Sequence, residues 1–203
     1  MEKFKELTEE KQQPIIEAAL KCFGKHGYKK ASMNDIAQDS GVSKPMLFHY
    51  FGTKKDLYLY LSEYVKNVML EGYMSNEIKA CDDFFERIIA ASKVKMGILE
   101  RCPHILIFII SMLTETDPAV RDIAGTITPD AQRFSNNLVI REGDRKKFKK
   151  DVDIDMILRT IFLLAEGYAH EACTGQCDYS TVAEELEKIM YMLKNNLYKE
   201  EYL

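Results

Sequence analysis

No stretch of this sequence approaches the roughly 20 consecutive apolar residues that a membrane-spanning helix needs. Its most apolar run, Ile105–Leu113 (ILIFIISML), reads instead as a buried helix. The opening MEKFKELTEEKQQ is too polar for a signal peptide. Five cysteines, an odd number at irregular spacing, make no disulfide framework. Reduced thiols and a cytoplasmic location are therefore expected. Also missing are a glycine-rich phosphate loop, a Gly-x-Ser-x-Gly turn, internal repeats and low-complexity segments. The four histidines, His26, His49, His104 and His170, fall on different predicted helices. No catalytic constellation results, so neither enzymatic activity nor a cofactor is expected. The one metal-like cluster is His170, Cys173 and Cys177, at i, i+3 and then i, i+4. Structural zinc usually takes four ligands and no fourth is evident, so these read as helix-face residues and no metal is expected.

What is present is ordinary in amount and uneven in place. The 203 residues are 46% hydrophobic and 30% charged, enough for one domain or two small ones. Net charge is −4, yet residues 1–57 carry ten Lys against eight acids, and Lys21–Lys55 carries seven Lys against Asp35 and Asp39. The first 57 residues are therefore +2 and the remainder −6. A basic patch on an acidic body suits a site-directed nucleic-acid binder better than a protein that coats nucleic acid.

The patch coincides with the most informative stretch, Ser32–Leu57, SMNDIAQDSGVSKPMLFHYFGTKKDL. Ser32 with Asp35 has capping-box spacing, and Ile36 and Ala37 form the inward side of a short helix. Gly41 permits the left-handed conformation a sharp turn needs. Ser43 caps a second helix with Pro45 in its first turn, and Thr53 with Asp56 repeats the cap for a third. Three caps around one glycine make a helix-turn-helix. On the second helix, about Lys44 to Phe51, Leu47 and Phe51 stack inward at i, i+4. Pro45 and His49 stack on the opposite side, with Met46 and Phe48 beside them and Tyr50 on a flank. A surface turn of a helical bundle is the bland alternative, but the outer face is aromatic and basic rather than Glu/Lys-solvated.

The rest reads as helices throughout. A first helix is expected from Pro14 to about His26, ended by Gly24 and Gly27, because a proline would kink an established helix. A long helix from Lys54 to about Met74 follows the helix-turn-helix. Ser75–Asp82 reads as a seam. A fifth helix capped by Asp82 or Asp83 is broken at Cys102-Pro103, and the apolar sixth follows. A seventh opens at Asp117-Pro118, bends at Gly125 and Thr128-Pro129, and ends near Arg141. Arg141–Lys150 reads as a solvated basic loop. Asp153 caps an eighth helix, and Gly175–Ser180 turns into the ninth. The last two carry apolar residues wider than one stripe, suited either to pairing with a twin or to covering the chain's own core.

The segment GYKKASMNDIAQDSGVSKPMLFHYFGTKKDL resembles the DNA-binding signature of TetR-type transcriptional regulators. Gly27, Tyr28, Ser32, Asp35, Ile36, Ala37, Gly41, Val42, Ser43, Lys44, Leu47, Tyr50, Phe51, Lys54 and Leu57 carry the match. Ala31 and Phe48 depart from it, each removing a hydroxyl that would otherwise reach a phosphate. The resemblance implies an all-α fold of about nine helices: a DNA-binding domain at 1–57 and a ligand-binding and dimerisation domain at 58–203. It implies a homodimeric repressor on a palindromic operator in double-stranded DNA, released by an apolar small-molecule effector, with no membrane partner. DNA contacts are expected from Ser32, Met33, Ser43, Lys44, Pro45, Met46, His49, Tyr50 and Lys54, with Ser32, Tyr50 and Lys54 on phosphates. Ligand contacts are expected among Phe85, Met96, His104, Phe108, Met112, Phe134 and Phe162, since Met and aromatic residues adapt to apolar ligands. Dimer contacts are expected from Ile161, Ala165, Tyr168, Leu186, Ile189 and Leu193. Two alternatives stay open: a regulator of this type controlled by a protein partner or by thiol or metal chemistry, and a helical enzyme with a decoy motif.

Overall fold

A computed structural model of the protein describes residues 2–123, 140–174 and 178–203. Among these residues the regular elements are ten α-helices, two 3-10 turns and one isolated antiparallel bridge. In chain order the helices are α1 Glu2–Lys5, α2 Glu9–Lys30, α3 Met33–Ser40, α4 Lys44–Phe51 and α5 Lys54–Tyr73, then α6 Asn76–Ala80, α7 Phe84–Arg101, α8 Ile105–Leu113, α9 Ile154–Thr174 and α10 Tyr179–Leu197. They fall into two compact units, residues 2–69 with 99–123, and residues 70–98 with the described residues from 140 onward. The remainder of the expected seventh helix, with Gly125, Pro129 and Phe134, lies outside the described residues. Its start is present: Asp117 Oδ1 accepts the Ala119 N–H at 2.9 Å.

In the first unit α2 buries Ile15, Ile16, Ala19, Leu20 and Phe23, the stripe its 3.6-residue spacing dictates. It begins at Glu9 rather than Pro14. Pro14 lies on the exposed side of the helix, where the carbonyl its missing N–H leaves free can be hydrated. Nor does Gly24 end the helix. A Cβ there would stand 2.7 Å from Ile107 Cγ2 and 3.0 Å from the Phe108 nitrogen, so this glycine lets α8 lie directly on α2. Ser111 Oγ donates to the Phe23 carbonyl at 3.1 Å, and His104 Nδ1 meets Glu17 Oε2 at 2.7 Å, along the same seam. The true break is Gly27, at φ 67°. The apolar α8 buries Ile105, Leu106, Phe108 and Met112. No single helix among the described residues is long and apolar enough to cross a membrane.

In the second unit the expected seam holds a short helix, α6, anchored by the buried Ile78. Asp83 Oδ1 caps α7 by accepting the Phe85 and Glu86 N–H groups. Asp153 caps α9 and Asp178 caps α10 in the same manner. The core gathers Phe84, Phe85, Ile88, Phe148, Leu158, Met190 and Tyr198.

Residues 141–150 are not the solvated loop that their charge suggests. Phe148, inside the lysine run, is buried, with its ring 4.8 Å from Tyr198 and 5.4 Å from Phe84. Lys149 N–H donates to the Leu197 carbonyl at 2.9 Å, and Lys199 N–H to the Lys147 carbonyl at 3.0 Å. Asp144, buried, pairs with the fully buried Arg87 and also accepts the Arg141 N–H at 2.7 Å. Burial pulls the Arg87 pKa below its ordinary value, and the adjacent Asp144 carboxylate works against that shift. One aromatic anchor and one buried ion pair thus override six basic residues.

Candidate nucleic-acid interface

The helix-turn-helix forms through the local chemistry expected of it. Ser32 Oγ accepts the N–H groups of Asn34 at 3.2 Å and Asp35 at 3.4 Å, and Gly41 takes φ 72° at the end of α3. Ser43 Oγ accepts the Met46 N–H at 3.3 Å to start α4. At the α4–α5 turn Thr53 and Asp56 cap each other, with N–H to side-chain distances of 3.1 Å in both directions.

At eight residues α4 is too short to hold itself. It is held by Leu47 and Phe51, which are buried, and by an element that the periodicity passed over. Phe4 of α1 is fully buried, its ring 4.6 Å from Phe51, 5.3 Å from Tyr60 and 5.8 Å from Tyr50. The signal was Phe4 standing as an apolar residue in the charged EKFKE run. With its inner face occupied, α4 presents Lys44, Pro45, Met46, Phe48 and His49 outward, Met46 at 39% and Phe48 at 40% exposure. A helix presented in this way, basic and aromatic on its free side, fits a major groove.

Three predicted contact residues sit differently from the others. Met33 is buried on the core side of α3, so its side chain is withdrawn from the surface. Tyr50 is half-buried, edge-on to Phe4. Lys54 is not free: its ammonium donates to the Ala31 carbonyl at 2.8 Å and the Lys29 carbonyl at 3.2 Å, over the Tyr28 ring at 4.8 Å. A second lysine of the basic patch, Lys21, bridges Asp39 at 2.7 Å. That hydrogen bond raises the Lys21 pKa and lowers that of Asp39. Lys25, Lys29, Lys30, Lys44 and Lys55 remain exposed.

The expected ligand residues do not share one core. His104, Phe108 and Met112 belong to the first unit, and Phe85, Met96 and Phe162 to the second. Phe85 and Phe108 are each fully buried in their own cluster, while Met96, His104 and Phe162 are half-buried. A groove of about 360 Å³ in the first unit is lined instead by Gly24, Lys25, Gly27, Ile107, Ile110, Ser111, Thr114 and Glu115.

The expected dimer residues are largely inward. Ile161 and Leu186 are buried, Ile189 and Leu193 pack on the second core, and the half-buried Tyr168 donates its hydroxyl to Glu185 at 2.8 Å. Ala165 is half-buried. Among the described residues, the large apolar side chains left outward on these two helices are Met156 at 65%, Leu163 at 59%, Met192 at 56% and Tyr191 at 42% exposure. On helices apolar over a wide arc, spacing alone does not say which part of the arc the chain's own core takes. His170 is exposed, whereas the Cys173 side chain and Cys177 lie outside the described residues. Among the described residues no group of three His, Cys, Asp or Glu could hold a metal ion.

Residues 15–61 match the family described as bacterial regulatory proteins, tetR family. The chain is similar to the HTH-type transcriptional repressor AcnR of Corynebacterium efficiens, 26% identical over 170 residues, covering 80% of this chain and 82% of that protein. Its fold is like that of the fatty acid degradation regulator FadR from Bacillus halodurans, at TM-score 0.69 and 17% identity, over 91% of this chain and 96% of that one. It is also like that of a transcriptional regulator from Saccharomonospora viridis in complex with choline, at TM-score 0.68 and 20% identity, over 95% and 100% of the two chains.

Proposed function

We propose that the chain is a TetR-type, DNA-binding transcriptional regulator, a homodimeric repressor that binds a palindromic operator and is released by a small molecule; the tetR-family match at residues 15–61 and the similarity to AcnR support this reading. The observation that carries the reading is the division of α4. Leu47 and Phe51 lock one face, and the chain spends no contact of theirs on the Lys44, Pro45, Met46 and His49 face. In this reading Lys44 and His49 meet base edges, Met46 meets a thymine methyl, and Ser32, Ser43 and Tyr50 meet backbone oxygens. Residues 1–57 read DNA, and 58–203 sense and pair.

Pairing uses the outward side of α9 and α10. Met156 and Leu163 lie seven residues apart on one helical face, with the exposed Gly167 one turn further on. A Cβ at Gly167 would meet no atom within 4 Å, so within the chain this glycine serves no close contact, and it leaves room for a second helix. A two-fold dimer sets its two α4 helices at the operator's half-site spacing, about 34–36 Å or a multiple. The effector engages the half-buried Met96 and Phe162 of the second unit rather than the core residue Phe85. It acts through α5, a twenty-residue helix that contributes to both units.

Release of this kind requires unequal ligand affinity for the two states, typically worth about 1–3 kcal/mol, and the coupling is reciprocal. Titration calorimetry of a candidate effector with and without operator tests it. Operator is expected to weaken effector binding by the factor by which effector weakens operator binding. Equal effector affinity for both forms, with transcription still responding, would contradict release by this route and favour control by a partner.

A further inference from the structure

The kink at Gly27 disturbs the end of α2, and two side chains from elsewhere meet the backbone groups around it. Tyr28 N–H donates to Glu115 Oε2 at 2.7 Å. The carbonyls of Lys29 and Ala31, at a helix end with no following turn to donate to them, accept from the Lys54 ammonium at 3.2 and 2.8 Å. The Tyr28 ring lies beneath the same ammonium at 4.8 Å. Two of its three N–H donors are therefore committed, and one side is covered by an aromatic face. Lys54 is also the first residue of α5, one residue beyond the Gly52-Thr53 turn that ends α4. Gly52 N–H bonds the Phe48 carbonyl at 2.8 Å, and Thr53 is locked to Asp56. The exit of α4 is thus tied, through two residues of constrained turn, to whatever holds Lys54.

We propose that Lys54 is a positioning residue for DNA reading: it fixes the α4–α5 turn on the kinked end of α2 and does not contact a phosphate. This rests on the DNA-reading role of α4 proposed above. A phosphate contact contributes to operator and random DNA alike and adds about one unit to the salt dependence of binding. A positioning residue acts on the geometry that base reading needs. Its loss falls on the operator and leaves the number of phosphate contacts unchanged.

The test uses three full-length variants. Lys54→Met keeps the alkyl stem and drops the charge and donors. Lys54→Arg keeps the charge but not the fit to two fixed carbonyls above a ring. Tyr28→Leu keeps Lys54 and removes the ring. Each is titrated with a selected operator and with a random duplex across a salt series, well below its melting temperature. All three are expected to lose about tenfold on the operator and less than twofold on random DNA, with salt slopes equal to wild type. Lys54→Met with equal losses on both DNAs and a slope smaller by about 0.9 would overturn the proposal. So would Lys54→Arg at wild-type affinity, or unchanged binding by all three. If Lys54→Met does not fold, the Arg and Leu variants decide the matter alone. A wild-type protein with no preference for any duplex would instead refute the DNA-reading role itself.

Discussion

Gly24→Ala places one methyl group where α8 crosses α2. The new Cβ would stand 2.7 Å from Ile107 Cγ2, 3.0 Å from the Phe108 nitrogen and 3.1 Å from the Ile107 carbonyl carbon. Two of these three are backbone atoms, which cannot swing aside. Carbon contacts are comfortable near 3.5–4.0 Å, so the helices must part by roughly half an ångström to one ångström. Overpacking of this kind costs about 1–3 kcal/mol. Alanine also brings a gain of about 1 kcal/mol over glycine in a helix interior, which partly hides the clash. Gly97→Ala in α7 isolates that gain, because a Cβ there meets no atom within 4 Å. Gly97→Ala is expected to be more stable than wild type, and Gly24→Ala less stable than Gly97→Ala by about 1–3 kcal/mol. At about 2–4 °C per kcal/mol for a chain of this size, thermal melts resolve the difference. Equal melting temperatures for the two variants would show that α8 does not lie on α2 as described.

Asp144→Ala removes the carboxylate that pairs with the buried Arg87 guanidinium and should destabilise by about 3–5 kcal/mol in urea titration, whereas Arg145→Ala, whose partner Asp155 is exposed, should cost less than about 1. Under the proposed pairing, Leu163→Glu with Met192→Glu should give a folded monomer in analytical ultracentrifugation where wild type sediments as a dimer; Leu186→Glu, at a buried position, should unfold the chain instead. Burial raises the pKa of Cys102 far above the ordinary thiol value of 9.0, and burial likewise raises Tyr58 and Tyr64, the latter to about 12. With folded pKa values above unfolded ones, the unfolded chain loses these protons first, so stability is full below pH 9 and falls as pH rises beyond it. Urea midpoints that stay level from pH 8 to 11 would contradict this.

The helix-turn-helix was legible because each of its parts is decided locally. Ser32, Gly41, Ser43 and Thr53 act within three or four residues of themselves, and the inward pair Leu47 and Phe51 follows from one turn of helix. What the periodicity missed depends on partners far along the chain. Phe4 closes on α4 across more than forty residues. Gly24, a helix breaker by composition, answers to Ile107. Asp144 lies hidden in a basic run because its partner, Arg87, is 57 residues away. Lys54 carries a motif lysine's position and yet points back at the end of α2. For α9 and α10 the spacing marked an apolar arc without fixing which part of it the chain's own core takes. Ile161 and Leu186 went to the core, and Leu163 and Met192 to the surface. The ligand residues were the least legible, since Met and aromatic side chains at helical spacing describe a core as well as a pocket.

Selection of binding sites from random DNA, run in parallel with wild type and with the Lys44→Ala, His49→Ala double variant, tests the exposed face of α4 most directly. Wild type should enrich a palindrome with half-sites one or two helical turns apart, bound at least a thousandfold above random duplex, as expected for specific complexes by about 10³ or more. The variant should enrich a different or degenerate half-site at the same spacing, because the substitutions leave the proposed α9–α10 pairing surface untouched. Enrichment of an identical half-site by both proteins would contradict base reading by this face.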